Sequence, residues 1–218
     1  MSDARATVIR ARGLERRFGE KRAVAGLGLD VAAGDFLVVT GPNGAGKSTL
    51  LALLAGLLAP TRGALEVAVE RHEVGYLAHE PLLYRELTAF ENLDFFGRLY
   101  RVPERRERIG MLLERFGLWD ARRERVGAFS RGMAQRLALC RTLLHEPRLL
   151  VLDEPYAGLD SDGASLLDGE LEALVSSDTW SVPPGHGRGE NGRLSTVVLA
   201  THDSGRVSRF TTAELALG

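Results

Sequence analysis

The feature that most constrains this chain is Gly41-Pro-Asn-Gly-Ala-Gly-Lys-Ser48, set directly behind Phe36 to Thr40, FLVVT. FLVVT is short, continuous and rich in β-branched and aromatic residues, the pattern of a strand buried on both faces. The residues behind the glycines open an apolar run that predicts a helix from about Lys47 to Leu58. A glycine-rich turn between such a strand and such a helix fits GxxxxGK[ST], a loop whose backbone amides wrap phosphates. The amides of Gly44, Gly46 and Lys47 are expected to point inward, where the helix N-terminus adds positive potential. Lys47 is expected to reach the β- and γ-phosphates and Ser48 to place its hydroxyl on Mg²⁺.

Two further runs have the same buried-strand character. Leu149 to Leu152 leads into Asp153-Glu154-Pro155, and Thr196 to Ala200 leads into Thr201-His202-Asp203. Ala6 to Ala11 reads as an edge strand. Ala23 to Val31 alternates, with Val24, Gly26, Gly28 and Asp30 on one side and Leu27, Leu29 and Val31 on the other. Leu65 to Val69 and Val74 to Leu77 are further strands, and Asp162 to Val175 is a helix. Buried strands interleaved with helices predict a mostly parallel α/β sheet. From Leu82 to Leu144 the spacing turns helical: Leu93, Phe96, Leu99 and Tyr100 form one stripe, and Ile109, Leu112, Leu113 and Phe116 another. The expected organisation is one domain, 1–218, with a core over about 1–80 and 145–218 and an inserted helical subdomain over about 81–144.

Composition narrows the function. With 218 residues and 44% apolar content the chain can bury a core. A formal net charge of −1 gives no broad attraction to nucleic acid or acidic lipid, so no nucleic-acid partner is expected. The lone cysteine, Cys140, excludes a disulfide framework within one chain and fits a reducing compartment. The longest apolar run, Leu50 to Ala59, is half of what a membrane span needs, about twenty residues.

The acidic pair suits the phosphate loop. A strand-end Asp153 can hold Mg²⁺, usually through water, and Glu154 beside it can orient and deprotonate a water attacking a γ-phosphate. His202 could reach the same pocket and bond the γ-phosphate; a histidine at a strand end can equally be structural.

In order along the chain stand GPNGAGKST, SRGMAQR, LLVLDEP, AGLD and LATHD. This set resembles the ATP-binding subunit of an ABC transporter, over nearly the whole chain, from about Ile9 to Leu217. The resemblance implies a P-loop NTPase (RecA-like) fold, α/β, with a mostly parallel sheet core, an N-terminal antiparallel β subdomain and the inserted helical subdomain. It implies ATP and Mg²⁺ as ligands. Gly41, Pro42, Asn43, Gly44, Ala45, Gly46, Lys47, Ser48 and Thr49 would hold nucleotide, with Ser48 and Asp153 on the metal. Lys47, Glu154 and His202 would be catalytic. Phe18 sits where an aromatic stacks on adenine, against the alternative of a core phenylalanine. Ser130 and Gly132 match a signature loop that closes over the γ-phosphate of the other subunit's ATP. Arg131 replaces a glycine of that loop and Met133 a glutamine, which puts the strength of that contact in question. Asp160 matches the loop that links two sites. Each site then needs two copies, so a head-to-tail homodimer with two sandwiched ATP molecules is implied, docked on integral-membrane subunits at the cytoplasmic face of the inner membrane.

In GYLAHEP, Gly75 to Pro81, His79 aligns with a glutamine that senses Mg²⁺ and water in transport subunits. That histidine and the SRGM signature resemble the ATP-binding subunit of the haem exporter of cytochrome c maturation. Two other classes stay open. One is another small exporter, for drugs, lipids or polysaccharide. The other is a soluble ABC ATPase of translation or DNA repair, which would normally carry two such domains or a coiled-coil or zinc insertion. Relatives have a short turn where Ser176 to Ser195 places a Gly/Pro-rich stretch with Trp180, either a surface loop or a partner contact. With the sequence ending at Gly218, no C-terminal regulatory domain is expected.

Overall fold

The computed structural model describes residues 5–175 and 195–218. The Ser176 to Ser195 stretch lies outside the described residues except for Ser195.

Three strands form an antiparallel sheet in the order β2-β1-β4: β1 Thr7–Phe18, β2 Lys21–Ala32 and β4 Arg62–Val67. β1 is therefore central, not an edge strand, and runs to Phe18 rather than stopping at Ala11. The reason is a bulge. Gly13 has φ 56, and the register shifts between Ala11 and Leu14. One extra residue breaks the two-residue alternation, so Ile9, Ala11 and Leu14 all point inward. Gly26, φ 64, does the same in β2. Val24 consequently joins Val31 in the core instead of facing away from it. The bulges carry β1 far enough to place Phe18 at its end.

Five strands form the second sheet, all parallel, in the order β5-β6-β7-β3-β8. These are β3 Phe36–Thr40, β5 Val74–Leu77, β6 Leu149–Asp153, β7 Thr196–Ala200 and β8 Ala213–Ala216. β8, which no alternation announced, pairs with β3 at the edge. Alternate residues of β3 serve different cores. Phe36 and Val38 join Leu150, Leu152, Val197 and Leu199 in one. Leu37 and Val39 join Leu149, Val151, Val198 and Ala200 in the other. That is why these strands read as continuous apolar runs.

The first core is roofed by α2 Ala89–Leu99, α3 Arg105–Arg115, α4 Arg131–Leu143 and α5 Ser161–Val175. Ile109, Leu112, Leu113 and Phe116 are fully buried there, as their spacing predicts. The other stripe holds only in part: Leu93 is fully buried and Phe96 and Tyr100 are partly buried, but Leu99, the last residue of α2, is 66% exposed. The second core is covered by α1 Lys47–Leu54 and the three-stranded sheet. α1 is a turn shorter than its apolar run predicts. Gly56, φ 70, takes the left-handed conformation that ends helices, and Leu57 N bonds back to Ala52 O at 2.9 Å. A short α6, Ser204–Val207, follows β7.

Candidate functional site

Parallel strands bring their carboxyl ends to one edge, and adjacent strands present adjacent loops. The order β5-β6-β7-β3 therefore lines up His79, Asp153-Glu154, His202 and the Gly41 loop, although they are far apart in sequence. Together they line one pocket of about 320 Å³.

The Gly41 loop forms its floor. Gly46 caps α1 with φ 97, and a Cβ on it would sit 1.9 Å from Ala23 O. A Cβ on Gly41, φ 142, would sit 2.2 Å from Leu217 O. Both positions exclude any side chain, on conformation and on space. Gly44, φ 82, has open space around it and needs glycine only for its backbone. Ala45 N donates to Pro42 O at 3.2 Å and closes the loop. Lys47 is buried, and its Nζ donates to Gly41 O at 2.7 Å and Pro42 O at 3.2 Å, which fixes a cation inside the curl. Asn43, Gly44, Gly46, Lys47, Ser48 and Thr49 all face the pocket.

The acidic wall is built by a strained turn. Asp153 ends β6 almost fully buried. Burial, and then the Asp153 charge, push the Tyr76 hydroxyl above its ordinary range. Glu154 has φ 49, unusual for a side-chain-bearing residue, and its N donates to Ala200 O at 3.0 Å. That twist turns its carboxylate toward β7, where His202 Nε2 lies 3.1 Å from Glu154 Oε1. The approach is close but not aligned as a hydrogen bond, and Oε1 is buried with no donor. The unmet acceptor leaves the side chain able to turn toward a molecule in the pocket that Glu154 lines.

Phe18 closes the far side, half exposed, with the Arg16 guanidinium 4.7 Å from its ring centroid. Its ring is therefore not core. Lys21 and Ala23 also line the pocket. The sequence did not single them out, since a lysine and an alanine on a strand carry no motif.

Ser130, Gly132 and Asp160 do not line this pocket. Ser130 caps α4, its Oγ accepting from Met133 N at 3.2 Å. Asp160 caps α5, its Oδ1 accepting from Gly163 N at 2.8 Å. The two caps meet: a Cβ on Gly132 would lie 3.0 Å from Gly158 O. The Arg131 stem lies across Gly158, whose own Cβ would be 2.9 Å from it. The arginine in place of glycine thus folds onto its own chain's next loop. Gln135, buried on α4, donates to Pro155 O at 3.0 Å and ties this helix to the acidic turn. Nothing in its sequence context marked it.

The residues present fit Mg²⁺ with a nucleoside triphosphate. Ser48 and Asp153 face one pocket beside a phosphate loop, and Glu154 lines the same pocket. Among the described residues no cluster of three or more His, Cys, Asp or Glu could hold a metal alone, so phosphate oxygens would complete such a site.

A parallel sheet with a phosphate loop behind β3 and an acidic strand end two strands away defines a P-loop NTPase fold. The family model for the ABC transporter matches residues 24–157, and the chain belongs to that family. It is 41% identical to the daunorubicin resistance ATP-binding protein DrrA3 of Streptomyces coeruleorubidus over 79% of this chain and 58% of that one. It is 37% identical to the bacitracin transport ATP-binding protein BcrA of Bacillus licheniformis over 78% of this chain and 57% of that one. The chain spans less than three-fifths of either relative's length. Among solved structures, a dimeric post-hydrolysis state of an ATP-binding cassette bound to ADP and Pi matches with a TM-score of 0.79 at 26% identity. That match covers 96% of this chain and 94% of the other. Among the described residues no helix is long and apolar enough to cross a membrane.

Proposed function

We propose that this chain binds and hydrolyses ATP and thereby drives a membrane-embedded partner that exports a small molecule. The observation that carries the reading is the convergence of the Gly41 loop, Phe18, Asp153, Glu154 and His202 on one pocket. Phe18 offers a face for the adenine ring. The loop amides and Lys47 hold the β- and γ-phosphates. Ser48 and Asp153 hold Mg²⁺, which when bound neutralises phosphate charge and fixes the phosphate chain. Glu154 orients water and takes its proton as the water oxygen bonds to the γ-phosphorus. The bond from that phosphorus to the β,γ-bridging oxygen breaks, and ADP leaves with its electron pair. His202 donates to a γ-phosphate oxygen and keeps Glu154 in place. Ser130 and Gly132 lie outside this pocket, so we assign them to a second copy's ATP in a head-to-tail dimer, with Asp160 between the two sites. The whole works at the cytoplasmic face of the membrane.

The relatives named for daunorubicin resistance and bacitracin transport support a drug-like cargo. A second reading, delivery of haem for cytochrome c maturation, draws on His79 in the same pocket as Glu154 and on the SRGM signature. No relative described above bears a haem name, so drug-type export stands first.

Phosphate release from Mg-ATP tests the core of the reading. The full chain should release phosphate, and Lys47→Ala should abolish it. A chain that binds Mg-ATP and releases none would overturn it. Co-purification with the adjacent membrane subunits, followed by cargo-stimulated ATPase with haem and with an anthracycline, separates the two cargoes.

A further inference from the structure

Outside the pocket, one carboxylate joins the turn that carries Glu154 to the turn that carries His202. Asp168 lies on α5, its side chain only 16% exposed. Its Oδ1 accepts the Tyr156 hydroxyl at 2.7 Å and Arg206 Nε at 3.2 Å, and its Oδ2 accepts Arg206 Nη2 at 2.9 Å. The Arg206 guanidinium also sits 5.0 Å from the Tyr156 ring centroid, and Arg209 adds a second cation 3.7 Å from Oδ2. Tyr156 follows Glu154 by two positions, and Arg206 lies in α6 four positions after His202. None of these four residues lines the pocket.

Both turns need an external hold. Glu154 is in the left-handed region, a conformation that persists only where its surroundings enforce it. Gln135 grips the turn from α4 through Pro155 O. Asp168 grips it from α5 through the Tyr156 hydroxyl. His202 is 53% exposed, so burial does not fix its ring. What restrains that turn is Asp203, whose N donates to Thr201 Oγ1 at 3.1 Å and whose Oδ1 accepts Arg206 N at 3.3 Å. Arg206 is thus bonded to the His202 turn by its backbone and to Asp168 by its side chain. Burial, and then the bond to Asp168, push the Tyr156 hydroxyl above its ordinary range, so it stays a donor. The same carboxylate raises Arg206 further, so it stays charged. An isolated exposed ion pair would contribute little, but a bidentate arginine and a hydroxyl on one shielded carboxylate form a fixed geometry.

We infer that Asp168, with Tyr156 and Arg206, is a positioning network that sets the distance between His202 and Glu154 and so the rate of the hydrolytic step. This rests on the ATPase reading above. The network reaches no nucleotide, so it acts on the reacting geometry and not on ATP affinity. A misplacement on the order of 1 Å can cost about 100-fold in rate.

The test compares the full chain with Asp168→Asn, Tyr156→Phe and Arg206→Gln, reading kcat and Mg-ATP affinity separately. Each variant should lose about 10- to 100-fold in kcat with ATP affinity unchanged. In a His202→Ala background Asp168→Asn should cost nothing further, and Arg206→Lys should restore part of what Arg206→Gln loses. Unchanged kcat, or a loss that adds in full to that of His202→Ala, would overturn the network. If Asp168→Asn does not fold, Tyr156→Phe carries the same comparison by losing one hydroxyl. If the wild-type chain releases no phosphate, the ATPase reading fails by itself. The network is then judged from the crystal structure of Tyr156→Phe. His202 Nε2 moving out of reach of Glu154 supports it, and a retained 3.1 Å approach refutes it.

Discussion

His202 Nε2 stands 3.1 Å from Glu154 Oε1, yet that oxygen has no hydrogen-bond donor and is shut away from solvent. The histidine guards the carboxylate without saturating it. Glu154 lines the pocket, so a small turn of its side chain would bring that acceptor within reach of a water there.

Glu154→Gln keeps the shape and removes the proposed base. Phosphate release should fall by about 100-fold or more while Mg-ATP still binds. With hydrolysis blocked, the ATP-bound pair of copies should accumulate. Size-exclusion chromatography with saturating Mg-ATP should show a dimer, and a variant that stays monomeric would count against the sandwiched arrangement.

Gly46→Ala forces a Cβ to within 1.9 Å of Ala23 O on a backbone with φ 97. The loop must move, at a cost of about 3 kcal/mol, and nucleotide binding should go with it. Gly44→Ala meets nothing within 4 Å and should cost only about 1–2 kcal/mol from its φ of 82. Chemical denaturation and a fluorescent-nucleotide titration of both variants separate the two.

His79→Ala should leave ATP affinity of the isolated chain nearly unchanged and reduce the stimulation of ATPase by the membrane partner. His79 is exposed after β5, at the wall of the pocket that the phosphate loop floors. A large loss of ATP affinity in the isolated chain would refute this.

Asn92 is fully buried on α2. Its Oδ1 accepts from Tyr84 N at 2.8 Å, and its Nδ2 reaches Tyr84 O at 2.9 Å and Thr88 O at 3.0 Å. It pins the segment that follows His79. Asn92→Ala strands these backbone groups and should cost about 2–4 kcal/mol in urea denaturation.

His145 stacks on Tyr100, ring centroids 4.1 Å apart, and burial drives its pKa from 6.5 down to about 4. The folded state holds the neutral ring, while the unfolded chain takes a proton below pH 6.5. The stability this provides is present above pH 6.5 and is lost as pH falls toward 4, by about 3 kcal/mol. His145→Phe keeps the stack and should lose less stability than wild type between pH 7 and 4. Parallel denaturation series at the two pH values give the difference.

Much of the site could be read from the chain because its chemistry is local. The amides of the Gly41 loop and the Lys47 side chain are brought together by a turn and a helix start within eight residues, and Asp153-Glu154 ends its own strand. The buried strands were legible because their two-sided burial leaves no polar phase. The reach of β1 was not. A bulge at Gly13 resets the alternation, so a pattern that stops at Ala11 continues in space to Phe18. β8 was missed because Ala213–Ala216 alternates only weakly and gains its place by pairing with β3.

The sequence by itself determined the phosphate loop, the acidic strand end, the order of the motifs and hence the family, since each depends on residues close in the chain. Only the tertiary structure decided that β6 and β7 are neighbours, and so that His202 meets Glu154. It also decided that Asp168 ties their two turns together and that Arg131 folds over Gly158. Those relations depend on which strand lies beside which, and on backbone conformations such as that of Glu154, which packing enforces and no residue type announces.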